Sequence, residues 1–213
     1  MVTDSARSTH TTITRLRVGD LQAGDQRLPI NVHILDHPDA RILVDTGLTQ
    51  LHPAVEDMDP RIQPLNELPG FDPDSIDIVV NTHLHFDHVG GNHLFPGRPI
   101  YVQRAEYIEA HAGEYTILDW VDAPGVTYTL VDGELELLPG RLIRAAGHSA
   151  GSQIVVVETG HRPAVLCGDS AVFYGELDQP ATEAQHLIRS LDPSEVWLSH
   201  QDAPWRPAVP ARG

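Results

Sequence analysis

The chain has 213 residues, 41% of them hydrophobic, enough to bury a core of its own and too ordinary a composition for a disordered or fibrous protein. All 14 basic residues are arginine against 30 acidic ones, a net charge of −16 that repels nucleic-acid phosphates and anionic membranes and excludes chemistry needing a lysine. The single cysteine, Cys167, excludes an intramolecular disulfide and fits a reducing, cytoplasmic setting; no apolar run is long enough to span a membrane, and residues 1–14 lack the apolar stretch of a secretory signal.

Alternating apolar and polar residues over 12–18 and 29–35 predict two half-buried strands. A short apolar strand over 41–45 ends at Thr46 and Gly47, and 75–82 reads as a buried strand. A helix over 88–94 opens directly after it, followed by a strand over 99–103 and a helix over 104–112. Strands follow over 126–131, 134–138, 141–145, 153–158 and 164–167. The segment 180–191 is helical, with Pro180 in its first turn and Ala184, Leu187, Ile188 and Leu191 on one stripe, before a last strand over 195–199. Hairpin spacings on either side of a central strand–helix unit predict an α/β (α+β) protein: two sheets packed together under outer helices. One domain is expected over 1–213, with 1–11 and 205–213 as loose ends.

Chemistry concentrates in the segment 81–92, where His83, His85, Asp87 and His88 fall within six residues at the mouth of a buried strand. In an extended segment residues two apart face the same side, so His83 and His85 can present their imidazoles to one ion. Where the chain turns into a helix, Asp87 and His88 face a different point, so the segment holds parts of two adjacent metal sites. Four ligand-type side chains after an apolar strand cost solvation energy unless something binds them, which weighs against a plain polar loop. A single closed structural zinc site would draw on four ligands, often cysteines. Gly90 and Gly91 would let the backbone pass close to the site.

His83-Leu84-His85-Phe86-Asp87-His88 reads as HxHxDH and resembles the signature of the metallo-β-lactamase-fold hydrolases. Further segments resemble that family in its own order: Asp45-Thr46-Gly47 its strand-ending DTG, Gly147-His148-Ser149-Ala150-Gly151 its GHSPG turn, Cys167-Gly168-Asp169 its GD strand end, and Ser199-His200 its last histidine. Within the family, the segments 81–92, 99–107 and 147–153 look most like the N-acyl homoserine lactonase branch. The resemblance implies an αββα sandwich, two mixed β-sheets flanked by helices. It implies a dinuclear site in which His83, His85 and His148 hold one ion, Asp87, His88 and His200 hold the other, and Asp169 bridges both. Two divalent ions are implied, zinc first, with iron, manganese or cobalt also suited to nitrogen and carboxylate ligands. Asp45 would orient a ligand histidine, and Asp202 is a weaker choice for such a role. The other histidines (His10, His33, His37, His52, His93, His111, His161 and His186) have no partner pattern and are expected at the surface or locally satisfied. Cys167, Trp197 and Trp205 are expected to pack.

The implied reaction is hydrolysis of a lactone ring, most simply that of an N-acyl homoserine lactone (quorum quenching). Water activated between the ions attacks the carbonyl, and Asp87 passes a proton to the departing alkoxide. One departure from the branch is local. Its tyrosine three residues after the bridging aspartate is here Val172, and Tyr174 is the catalytic candidate in its stead. A second is length: the N-terminal arm and the stretch from Asp45 to His83, which shape the acyl pocket, are short for the branch. The alternatives are hydrolysis of another small ester, an aryl sulfate or a phosphodiester on the same fold, or a metal-binding module without turnover. The 13 residues after His200 are expected to be too few for the helical domain of glyoxalase II, and the acidic surface does not suit the nucleases of this fold. A small-molecule substrate is the expected partner, with no nucleic acid and no membrane.

Overall fold

In the computed structural model, which describes residues 11–113, 115–138 and 140–208, two long strands open the chain. These are β1 (Thr12–Ala23) and β2 (Gln26–Asp36), paired antiparallel from Thr12↔Asp36 to Ala23↔Gln26. Both run past the predicted 12–18 and 29–35. The register shifts between Arg17 and Gly19, and such a bulge breaks the alternation by which a strand is read from sequence.

β1 and β2 lie in a seven-stranded sheet ordered β4 (Arg61–Ile62), β1, β2, β3 (Arg41–Val44), β5 (Ile78–Val80), β6 (Ile100–Gln103), β7 (Tyr128–Val131). From β3 to β7 the strands run parallel. The second sheet has five strands, ordered β12 (Glu195–Trp197), β11 (Ala164–Leu166), β10 (Gln153–Val157), β9 (Gly140–Arg144), β8 (Glu134–Leu137). Only β11 and β12 pair in parallel there.

Period-two patterning assigns the faces. On β10, Val155 and Val157 join Ile42, Val44 and Val80 of the first sheet in one buried cluster, the layer between the sheets. Ile154 and Val156 face the other way and are covered by Leu177 of α4 (Tyr174–Asp178) and by Ala184 and Ile188 of α5 (Glu183–Ser190). Thr182 caps α5 in a capping box with Gln185, which fixes its start at Glu183, three residues after the predicted Pro180. Outside the first sheet, Ile30, Val32, Leu43, Val79 and Ile100 pack under Phe95 and under Trp120 of α3 (Leu118–Val121). The layers are helix, sheet, sheet, helix.

Three elements lie where the sequence reading had loops: β4, α3 and α4, each five residues or fewer. The helix expected over 88–94 is instead a single turn, α1 (Phe86–Val89), followed by a 3-10 turn over Asn92–Leu94. The helix over 104–112 is α2 (Arg104–Ala112) as read. The loose end expected from 205 is corrected at Trp205. Its backbone exchanges two 2.8 Å hydrogen bonds with Val196, and its ring is buried against α5 with Arg189 stacked 5.0 Å away. Of the rest of that expectation, residues 11 and 206–208 form neither strand nor helix, and 1–10 and 209–213 lie outside the described residues. Among the described residues no helix is long and apolar enough to cross a membrane.

Candidate metal centre

Strand direction gathers the site. Asp45 directly follows β3, and His83 and His85 follow β5, which runs parallel to it. In the second sheet β9, β11 and β12 share one direction, and the loops leaving their C-terminal ends carry His148, Asp169 and His200. α1 adds Asp87 and His88. All seven residues singled out as ligands therefore meet at one edge of the sandwich.

Their ligand atoms form three overlapping groups: His83, His85, His148; His83, His88, Asp169; and Asp87, His88, His200, each within 4.8 Å of one another. His83 Nε2 lies 3.0 Å from His85 Nδ1, which lies 2.9 Å from His148 Nε2. Asp169 stands between the two halves. Its Oδ2 is 3.2 Å from His200 Nε2, 3.6 Å from His148 Nε2 and 3.9 Å from His83 Nε2, while Oδ1 is 3.5 Å from His88 Nε2. Asp87 Oδ2 lies 3.7 Å from His88 Nε2 and 3.6 Å from His200 Nε2.

Asp45 orients two of these histidines, one directly and one through a hydroxyl. It sits at φ 60°, a left-handed conformation that aspartate tolerates at a strand end. Its Oδ1 accepts from Thr82 N (2.7 Å), and its Oδ2 accepts from Thr82 Oγ1 (2.8 Å) and His88 Nδ1 (2.8 Å). A carboxylate only accepts, so His88 carries its proton on Nδ1 and turns Nε2 inward. The Thr82 hydroxyl spends its proton on Asp45 and so accepts from His83 Nδ1 at 3.1 Å, which leaves His83 Nε2 bare as well. His200 is fixed in the same manner, its Nδ1 donating to Pro29 O at 2.8 Å. The Asn31 amide holds the loop on either side of His200 by donating to Ser199 O and Gln201 O, both at 3.0 Å. Asp202 takes no such part; it is exposed and paired with Arg15.

Burial and neighbouring imidazoles push His83 well below its usual pKa and His85 down to about 4, so both are neutral at pH 7 with a lone pair to offer. Burial also opposes charge on His88 and His200. There the facing carboxylates, Asp169 and Asp87, outweigh it, raising His88 well above its usual value and His200 to about 9. Burial likewise opposes charge on Asp169, but His200 and His88 hold it well below the ordinary carboxylate range. Protons at His88 and His200 stand where a cation would displace them.

One observation tests whether the site fits such a cation. His88 Nε2 and Asp169 Oδ1 are buried, face each other and have no hydrogen-bond partner. An unsatisfied buried polar atom costs about 1–3 kcal/mol, and a divalent cation would satisfy both at once. Imidazole nitrogens and carboxylate oxygens are the donor set that zinc and its first-row neighbours take. The residues fit divalent metal.

Tyr174 is not brought to the site. Its hydroxyl donates to Ala203 O at 2.5 Å and its ring packs with the layer under α4, because α4 begins at this residue and turns it away from the site. Val172, not Tyr174, lines the cavity over the metal cluster. Gly90 and Gly91 serve a packing role: a Cβ at Gly91 would stand 2.5 Å from Thr46 O and one at Gly90 2.9 Å from Gly47 O, so they let the end of α1 rest on the turn after β3. Of the other histidines, His33 departs from expectation. It is buried edge-on against Trp197, with Nε2 unpartnered. His10 lies outside the described residues. Cys167 is buried, and burial pushes its thiol pKa up.

Two residues at the site escaped the sequence reading. Tyr115 leans its ring on His85, centroids 4.6 Å apart, and lines the cavity. Glu106, fully buried in the first turn of α2, bonds to loops on both sides of it. It lies inside the lactonase-like segment 99–107, which was the one signal available.

The sequence profile of the metallo-beta-lactamase superfamily matches residues 25–203. The chain is 34% identical over 168 residues to the N-acyl homoserine lactonase AiiA of Bacillus thuringiensis subsp. kurstaki, across 70% of this chain and 66% of that protein, just under two thirds of its length. It is 26% identical to the N-acyl homoserine lactonase AttM of Rhizobium radiobacter, across 90% of this chain and 85% of that one. In three dimensions it resembles a solved N-acyl homoserine lactone hydrolase with N-hexanoyl-L-homoserine bound at its catalytic metal center, with a TM-score of 0.77, 24% identity and coverage of 91% and 94%. A solved quorum-quenching N-acyl homoserine lactone lactonase gives a TM-score of 0.75 at 25% identity, over 91% of this chain and 93% of that one. The profile runs from the turn before β2 to beyond His200 and takes in every residue of the metal cluster, on the same layered fold; the chain belongs to the metallo-β-lactamase superfamily.

Proposed function

We propose that the protein is a dinuclear metal-dependent hydrolase that opens the ring of N-acyl homoserine lactones, the class named for the relatives it matches. The observation that carries the reading is the seven-residue His/Asp cluster at the base of an apolar cavity of about 640 Å3. In it His83, His85 and His148 would hold one ion and Asp87, His88 and His200 the other, with Asp169 standing between them as a ligand open to both. Zinc is the first choice for both.

Bound divalent ions polarise a carbonyl and lower the pKa of a shared water toward neutrality. The remaining work falls to side chains. Leu21, Leu28, Met58 and Phe173 line the cavity and offer an acyl chain an apolar wall, and Phe173, 43% exposed, stands at its rim. Asp87, buried at the cavity floor, is placed to hand a proton to the ring oxygen as it leaves. Asp45 keeps His83 and His88 in the tautomers that expose Nε2. With Val172 where the lactonase tyrosine stands and Tyr174 turned away, carbonyl activation rests on the cluster without a tyrosine from this loop. Action in the cytoplasm on a small-molecule substrate, within one domain, completes the reading.

Acid release from N-acyl homoserine lactones of several chain lengths tests it, beside aryl esters and an aryl phosphodiester. Lactone opening that falls about 100- to 10,000-fold in Asp87→Asn is the expected result. Preferred cleavage of the phosphodiester or aryl ester would discard the lactone substrate and keep the metal-dependent hydrolase.

A further inference from the structure

Glu106 is a fully buried carboxylate whose hydrogen-bond partners are all uncharged. Oε1 accepts from Leu84 N at 2.7 Å and from the Tyr115 hydroxyl. Oε2 accepts from Ser149 Oγ at 2.5 Å and from Gly151 N at 3.2 Å. A buried anion is tolerated only when its acceptor capacity is filled, and the N-terminal turn of α2 favours the negative charge.

The partners are distributed in a telling way. Leu84 lies between His83 and His85, while Ser149 and Gly151 belong to the turn that carries His148. One side chain thus fastens the two loops that supply the three-histidine group, and through Tyr115 it steadies the ring resting on His85. The turn must come very close to do this. A Cβ on Gly151 would lie 2.0 Å from Glu106 N, so only glycine allows the approach.

The donors also explain why the residue is glutamate. Hydroxyls can reverse their role, but a backbone N–H cannot. Each oxygen of Glu106 receives one backbone N–H, from Leu84 and from Gly151 respectively. Glutamine has a single acceptor oxygen, so it would set its NH2 against one of the two N–H groups and release one loop.

We infer that Glu106 is a positioning residue that sets the spacing of the His83–His85 loop and the His148 loop, and so governs affinity for the ion held there while leaving the other alone. The inference rests on the two-ion reading but not on the lactone. The hydrogen bonds of Glu106 run to Leu84, Tyr115, Ser149 and Gly151, and not to Asp87, His88 or His200.

The test is stepwise removal of metal from the zinc-loaded protein by a graded chelator, counting ions retained per chain. In Glu106→Gln one ion is expected to leave at about 10- to 100-fold lower chelator strength, with the second leaving as in wild type. Asp45→Asn, which disturbs His83 and His88 together, is expected to weaken both ions. If Glu106→Gln does not fold, Ser149→Ala carries the test, with the same ion weakened about 2- to 10-fold. Equal weakening of both ions by either variant, or unchanged affinities alongside a lowered Tm, would overturn the inference and leave Glu106 as packing. A wild-type chain that binds fewer than two ions would overturn it together with the two-ion reading. Two tightly bound ions without lactone turnover would remove the substrate alone.

Discussion

At the scale of single residues, the ligand atoms are set by what holds their far side. Asp45 is the clearest case, since its carboxylate decides the tautomer of His88 directly and of His83 through Thr82. Asparagine adopts the same left-handed backbone, so Asp45→Asn is expected to fold with a Tm within a few degrees of wild type. Its amide cannot accept from both Thr82 N and His88 Nδ1. Lactone turnover at limiting zinc should therefore drop about 10- to 100-fold, with recovery as zinc is raised. His33 provides a pH dependence separate from the metal cluster. Burial, with a smaller push from Arg15, lowers it to about 3 from an ordinary 6.5. The unfolded chain binds this proton more readily, so the stability it contributes is complete above pH 6.5 and is lost as pH falls toward 3. Between pH 7 and pH 5 the loss is about 2 kcal/mol. Urea unfolding of His33→Phe should show a pH 5 penalty smaller than wild type by about that amount; equal penalties would contradict it. The metal cluster is common to both proteins and cancels in the difference.

At the scale of elements, the site is a consequence of strand direction. HxHxDH could be read from the sequence because its ligands are neighbours in the chain, where an extended segment and a helical turn suffice to aim them. His148, Asp169 and His200 carry no such local signal, and the family resemblance alone brought them in. The structure explains why they converge: β9, β11 and β12 point the same way. What could not be read depends on contacts between distant segments. Glu106 gains its meaning from Leu84 and Gly151, and the length of β1 depends on a bulge. Tyr174 is not brought to the metal cluster, because the helix starting at it turns its hydroxyl to Ala203. α1 is only four residues long, too short to stand by itself, and leans on the turn after β3 through Thr46 N to His88 O at 2.8 Å. Gly91→Ala would drive a methyl into Thr46 O, so unfolding by urea should reveal a loss of about 1–3 kcal/mol. Zinc retention should fall with it, since Asp87 and His88 ride on α1.

For the whole molecule, two packed sheets put the metal cluster at one edge of their seam, and of the helices α1 supplies Asp87 and His88 while α2 supplies Glu106 behind the three-histidine group. The net charge of −16 gives the molecule as a whole a negative field, which reaches about 10 Å at 0.1 M salt. A neutral lactone should feel little of it. Accordingly kcat/KM for an N-acyl homoserine lactone is expected to stay flat as salt rises, while that for a carboxylate-bearing ester of the same acyl length climbs. On the proposed function, the seven gathered residues hold two divalent ions on which lactone opening depends. The most direct test counts zinc per chain in parallel with lactone hydrolysis for wild type, His148→Ala and His200→Ala. Two ions in wild type, one in each variant, and hydrolysis lost in both is the predicted result. Full hydrolysis by a chain that carries a single ion would contradict it.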